Sequence, residues 1–130
     1  MRDAQPRAIY LRDYQPPAFL IERTELAFDL HEDHALVTAC LHLRRNAGAG
    51  KQALELHGQE LELVSIGIDD RPLAAEEYEL SDAGLRIADV PDSFRLQSQC
   101  RILPQNNTSL EGLYKSRTLF CTQCEAEGFR

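Results

Sequence analysis

The sequence predicts an all-β fold, an antiparallel β-sandwich or open barrel, on three observations. Apolar residues recur at every second position in short runs, the period of a strand with one buried face. Turn chemistry separates those runs at close intervals, as at His31-Glu32-Asp33-His34, Asn46-Ala47-Gly48-Ala49-Gly50, Asp69-Asp70-Arg71-Pro72 and Ser81-Asp82-Ala83-Gly84. No stretch carries a helical stripe, and strands without intervening helices point to a sandwich or barrel rather than a layered α/β fold.

Tyr10 to Pro17 ends in paired prolines, which fix φ and remove donors, so it reads as an extended lead-in strapped to the domain by Tyr10 and Tyr14. From Thr24 to Leu30, Leu26, Phe28 and Leu30 alternate with polar or small residues and predict a strand with those three side chains buried. The His31–His34 turn reverses the chain. From Ala35 to Arg45 the return strand places Val37, Ala39, Leu41 and Leu43 on one face and Thr38, Cys40, His42 and Arg44 on the other. Ala53 to Leu56 reads as a short strand ended by His57-Gly58. Between Leu61 and Ile68 the apolar set starts on odd positions, Leu61 and Leu63, and shifts to even ones, Val64, Ile66 and Ile68, as a one-residue bulge near Leu63 would produce. Glu77 to Leu80 and Leu85 to Ile87 read as a short hairpin. The last clear strand is Ser93 to Leu103, with Phe94, Leu96, Cys100 and Ile102 on one face, Ser98 among them, and Pro104 as its stop.

With 130 residues and 43% of them hydrophobic, the chain has the material for one domain core. Fourteen Lys and Arg against 21 Asp and Glu give a formal charge of -7, which repels phosphate backbones and argues against nucleic acid as a partner. No apolar run approaches the roughly 18 residues of a membrane span, and Met1 to Pro6 has no signal-peptide core, so the expectation is a cytoplasmic protein with no membrane contact. Cys40, Cys100, Cys121 and Cys124 are too sparse for a disulfide framework and are expected to be reduced. The Asn106-Asn107-Thr108 and Asn107-Thr108-Ser109 triplets read as turn residues.

His31 and His34 have metal-binding side chains, but their spacing of three in a hairpin turn is not the spacing of four on a helix that His-Glu-x-x-His requires. A solvated turn is the reading adopted. His42 and His57 stand without a recognisable nucleophile motif. Cys121-Thr122-Gln123-Cys124 has the spacing of a redox dithiol or half a zinc site, yet the first needs a βαβ setting and the second another ligand pair, and Cys40 and Cys100 are far apart in sequence. Glu125 and Glu127 would share one side of an extended segment, in the apolar company of Leu119, Phe120, Ala126 and Phe129. A carboxylate so placed would need a cationic partner.

Leu110-Glu111-Gly112-Leu113-Tyr114, and above all the run from Cys121 through Gln123, Cys124, Glu125 and Glu127 to Arg130, closely resemble the N-terminal part of bacterial aminopeptidase N, a zinc metallopeptidase family. The resemblance extends back through Glu55 to Leu61 and Ile68 to Pro72 to the lead-in, essentially the whole chain. It implies that residues 1–130 are the N-terminal β domain, truncated at its C-terminal end and lacking closing strands and a thermolysin-like catalytic domain. In the family a Gln-x-Glu segment reaches into the active site, so by resemblance Gln123 helps line the first side-chain pocket and Glu125 binds the free α-amine of the peptide substrate.

The family's zinc and general base sit on a His-Glu-x-x-His helix, which this sequence lacks, so the resemblance implies zinc in the parent enzyme, none in this chain, and no catalytic residue here. The expected partners are the substrate N-terminus and the missing catalytic domain, with self-association of the truncated piece through an apolar face around Leu119, Phe120 and Phe129. Two readings stand against this one. A stand-alone β-sandwich interaction module fits the acidic composition, and a thiol redox protein would require Cys121 and Cys124 to cycle with a disulfide.

Overall fold

The computed structural model describes Ala8 and residues 10–124; Met1 to Pro6, Glu125, Glu127 and Phe129 lie outside them. Ten strands are present among the described residues: β1 (Phe19–Leu30), β2 (Ala35–Arg45), β3 (Leu54–His57), β4 (Glu62–Ile68), β5 (Arg71–Pro72), β6 (Glu79–Ser81), β7 (Gly84–Ile87), β8 (Ser93–Ile102), β9 (Gly112–Ser116) and β10 (Leu119–Gln123). Single 3₁₀ turns at Leu11–Asp13, Ala75–Glu77 and Pro104–Asn106 are the helical elements among these residues. Among the described residues no helix is long and apolar enough to cross a membrane. The fold is all-β and does not close into a barrel. A five-stranded sheet runs β1-β2-β8-β4-β5, a three-stranded sheet runs β3-β7-β6, and β9 pairs with β10 alone.

Antiparallel pairing turns the alternation in the sequence into two chemically distinct faces of the large sheet. Leu26, Phe28 and Leu30 stand opposite Ala39, Val37 and Ala35, which in turn face Ser98, Cys100 and Ile102 across the next ladder. Further along this face Leu43, Phe94, Leu96, Ile66 and Ile68 meet Leu54 and Ile87 of the smaller sheet and Val90 of the β7–β8 connection, and these eight form the core. The opposite face carries Arg23, Glu25, Thr38, Cys40, His42, Arg95, Gln97 and Gln99.

The predicted bulge is a register shift between Leu63 and Ser65, which leaves Val64 outside the ladder and exposed while Ile66 and Ile68 turn into the core. Asp69 and Asp70 both have positive φ and form a two-residue connection between Ile68 and Arg71, the twist that a tight hairpin needs.

Four expectations need correction. β1 starts at Phe19 rather than Thr24, because a register shift between Ile21 and Arg23 interrupts the period and hides the strand's continuity in sequence. The Phe19 ring packs edge-on to Phe94 at 6.0 Å. Leu26, Phe28 and Leu30 are not buried but 53%, 50% and 44% exposed, since the smaller sheet reaches only the other end of the face. Tyr10 and Tyr14 are exposed and do not strap the lead-in down; the Arg12 guanidinium instead lies 4.5 Å above the Tyr10 ring. Finally, Glu77 ends a 3₁₀ turn rather than starting a strand. Its carboxylate accepts the Ala74 amide at 2.7 Å and an Arg71 N–H at 3.0 Å, which fixes the turn.

Arg45, at the end of β2, fastens loop backbone to the edge of the core. Its guanidinium donates to Asp92 Oδ1 at 2.9 Å and to the carbonyls of Gly50, Gln52 and Val90 at 3.2, 2.9 and 3.1 Å. Its flat side lies 4.8 Å above the Phe19 ring.

Candidate functional site

Gln123 is the last residue of β10, opposite Gly112, at the end of the β9–β10 ladder away from its turn. The left-handed turn residue Arg117 reverses the chain between Ser116 and Leu119. This hairpin belongs to neither larger sheet and is held by side chains that reach backbone. The Asn107 amide donates to the carbonyls of Glu111 and Leu113 at 2.8 and 2.9 Å, and Ser109 donates to Asn107 Oδ1 at 2.8 Å. Lys115 Nζ donates to the Glu32 carbonyl at 3.1 Å, and Gln105 donates to the Asp33 carbonyl at 2.6 Å, so the β1–β2 turn and the segment leading to Gln123 are tied together. Asn107 thus has the turn role expected of it.

Leu119 is exposed and Phe120 is half-buried under the Lys115 ammonium, 5.3 Å from its ring centroid. Cys121 is half-buried and Cys124 exposed, and Cys40, Cys100 and Cys121 are free thiols. Cys40 and Cys100 lie on opposite faces of the large sheet, so neither pairs with the other as a second half of a zinc site. Burial pushes the Cys100 thiol pKa up, as suits a packing role. Glu125, the other predicted substrate-binding residue, lies outside the described residues.

The His31 and His34 rings stack at 4.4 Å. Each is engaged by its own carboxylate, His31 with Asp29 at 3.0 Å and His34 with Asp33 at 2.6 Å, and the His34 contact holds the Asp33 carboxyl below its ordinary range. This is the solvated turn read from the sequence.

A grouping that sequence reading missed lies on the polar face, where Glu25 of β1 converges with Cys40 and His42 of β2. His42 Nε2 is 3.2 Å from Glu25 Oε2 and 3.9 Å from Cys40 Sγ. The hydrogen bond with His42, then the charge of Arg23, hold the Glu25 carboxyl below its ordinary range. The hairpin register was the available signal: with Leu30 opposite Ala35, Glu25 falls opposite Cys40 and next to His42. Beside this group, Asp70 accepts from Gln97 at 2.7 Å and from Arg95 at 2.6 Å, contacts that lower its pKa in that order of strength. A shallow groove of about 370 Å³ runs past these residues, floored by Gln97, Gln99, Thr38 and Ser65.

No protein-family model matches the chain. Individual relatives do. It is 51% identical over 130 residues to an aminopeptidase N of Caulobacter vibrioides, covering 100% of this chain and 15% of that protein. The chain matches the N-terminal portion of aminopeptidase N. The aminopeptidase N of Escherichia coli is 44% identical over 126 residues, which is 97% of this chain and 14% of the relative. Among solved structures, Legionella pneumophila aminopeptidase A in complex with aspartic acid superposes with a TM-score of 0.81 at 29% identity, over 91% of this chain and 14% of that one. The chain therefore spans about one seventh of the length of the aminopeptidase N relatives it matches.

Proposed function

We propose that this chain is the substrate-recognition β domain of a cytoplasmic zinc-dependent aminopeptidase, which removes N-terminal residues from peptides, and that it is not catalytic without the rest of that enzyme. The observation that carries the proposal is the 51% identity to an aminopeptidase N along all 130 residues. The residues present do not fit the catalytic zinc. The sequence has no His-Glu-x-x-His, and His31 and His34 spend their rings on each other and on Asp29 and Asp33. That ion would supply a polarised scissile carbonyl and an activated water in the parent enzyme.

The part assigned to this chain is recognition. Glu125 would hold the ammonium of the substrate N-terminus, an attraction that strengthens as water is excluded, and would so measure the distance from chain end to scissile bond. Gln123, two residues earlier, would present its amide to the first side chain. The exposed Leu26, Phe28 and Leu30 fit a sheet face that further parts of the same enzyme cover, and a piece lacking those parts would self-associate through it.

The test is Glu125→Ala in the full-length enzyme. Losing one charged partner of a desolvated pair is expected to cost about 3 kcal/mol, roughly a hundredfold in kcat/KM on free-amine substrates. Unchanged kinetics would remove Glu125 from the site.

A further inference from the structure

We propose that Glu25, Cys40 and His42 form a binding site for a borderline divalent transition-metal ion of the zinc type. The three donor atoms lie within 4.8 Å of one another, a grouping of metal-binding side chains that two strands converge to make. Cys40 and His42 are two residues apart on β2 and share a face, and Glu25 is the cross-strand partner of Cys40. None of the three has to be brought in by a loop.

The separations also suit an ion held between the three side chains. Ordinary zinc bond lengths in a tetrahedron put nitrogen and oxygen ligands roughly 3.4 Å apart and nitrogen and sulfur ligands roughly 3.6 Å apart. The observed distances are 3.2 Å for His42 Nε2 to Glu25 Oε2 and 3.9 Å for His42 Nε2 to Cys40 Sγ. Both contacts use the same ring nitrogen. A proton on Nε2 serves Glu25 or Cys40 but not both in good geometry, whereas an ion between the three satisfies all of them. The shared nitrogen also argues against a nucleophilic relay, in which thiol and carboxylate would occupy opposite ring nitrogens.

Charge around the site is balanced. Arg23 Nη2 holds the other Glu25 oxygen, Oε1, at 2.6 Å and leaves Oε2 to the site. On β8, Arg95 stands opposite His42, with its charge drawn off by Asp70 at 2.6 Å and Asp69 at 3.9 Å. Arg44 is occupied by Glu22 at 2.7 Å. Ion binding releases the Cys40 proton to solvent, and water takes the open fourth position on this half-exposed face. Mixed sulfur, nitrogen and oxygen donors select zinc-like ions over magnesium or calcium. The bound ion would clasp the edge strand β1 to β2.

The experiment follows alkylation of Cys40 in the intact protein by peptide mass spectrometry, after chelation and then with Zn²⁺ alone or Mg²⁺ alone. Zn²⁺ is expected to slow Cys40 modification by about tenfold or more, and His42→Gln to abolish that protection. Cys100 is the internal reference and should be unaffected, as should Cys40 in Mg²⁺. Equal Cys40 rates with and without Zn²⁺ would overturn the proposal, as would protection that survives His42→Gln or appears equally with Mg²⁺. A second readout on the unaltered protein, thiolate-to-cobalt absorption with Co²⁺ as probe, should disappear in Cys40→Ser and persist in Cys121→Ser/Cys124→Ser. The reverse pattern would transfer the site to that pair. The outcome does not depend on the aminopeptidase reading.

Discussion

Leu96 and Phe28 lie on the same face of the same sheet, yet Leu96 is 1% exposed and Phe28 50%. Both belong to runs with the same apolar-polar period, and the two strands are separated only by β2. The difference lies in what stands above them: Leu54 and Ile87 of the smaller sheet cap the Leu96 end, and Leu26, Phe28 and Leu30 have no such layer among the described residues. Periodicity reports which residues share a face, whereas burial needs a second layer, and the second layer here has three strands against the five of the first.

The contrast can be broken most directly by truncating both side chains. Leu96→Ala is expected to cost about 2–5 kcal/mol of unfolding free energy, from lost burial and the cavity left behind, while Phe28→Ala costs about 1 kcal/mol or less. Denaturant unfolding of both variants measures the gap, and a large Phe28 effect would mean that its end of the face is covered too. Next in size is Arg45→Ala at the rim of the capped end. Losing the guanidinium strands three backbone carbonyls and the Asp92 carboxylate and uncovers Phe19, and a loss of about 2–3 kcal/mol is expected in the same measurement.

The smallest effect belongs to the polar face and depends on pH. Hydrogen bonds from Gln97 and Arg95 hold Asp70 below its ordinary 3.8, and the Ala74 amide and Arg71 hold Glu77 below 4.5. A carboxyl depressed in the folded state adds stability above its unfolded pKa and loses it as pH falls through the folded one. Stability should therefore be level near neutrality and decline below about pH 4, and Asp70→Asn should make that acid limb shallower. A limb unchanged by Asp70→Asn would show that the contact adds nothing, as is common for exposed pairs.

Much of the fold was legible because its determinants are local. The parity switch from Leu61 and Leu63 to Ile66 and Ile68 marked the bulge, Asp69-Asp70 marked a tight hairpin, and Pro104 marked the end of β8. The start of β1 was not legible, because the irregularity at Glu22 breaks the period that reading relies on. Glu77 misled for a related reason: its side chain closes a turn onto Ala74, a contact that no alternation reports. At the candidate site, the family resemblance singled out Gln123 and Glu125 from a contiguous motif, whereas Glu25, Cys40 and His42 are assembled by strand pairing. A residue-by-residue scan treats His42 as solitary, and only the ladder brings it beside a thiol from its own strand and a carboxylate from the next.

The bonds from Lys115 and Gln105 to the β1–β2 turn end on the carbonyls of Glu32 and Asp33, not on their side chains. Such an anchor is indifferent to which residues occupy the turn and sensitive to how many there are. These two bonds place no demand on the side chains of Glu32 or Asp33, but a one-residue insertion or deletion there would move both carbonyls and, with them, the hairpin that ends at Gln123. The length of this turn, rather than its composition, is the dimension that the anchor reads.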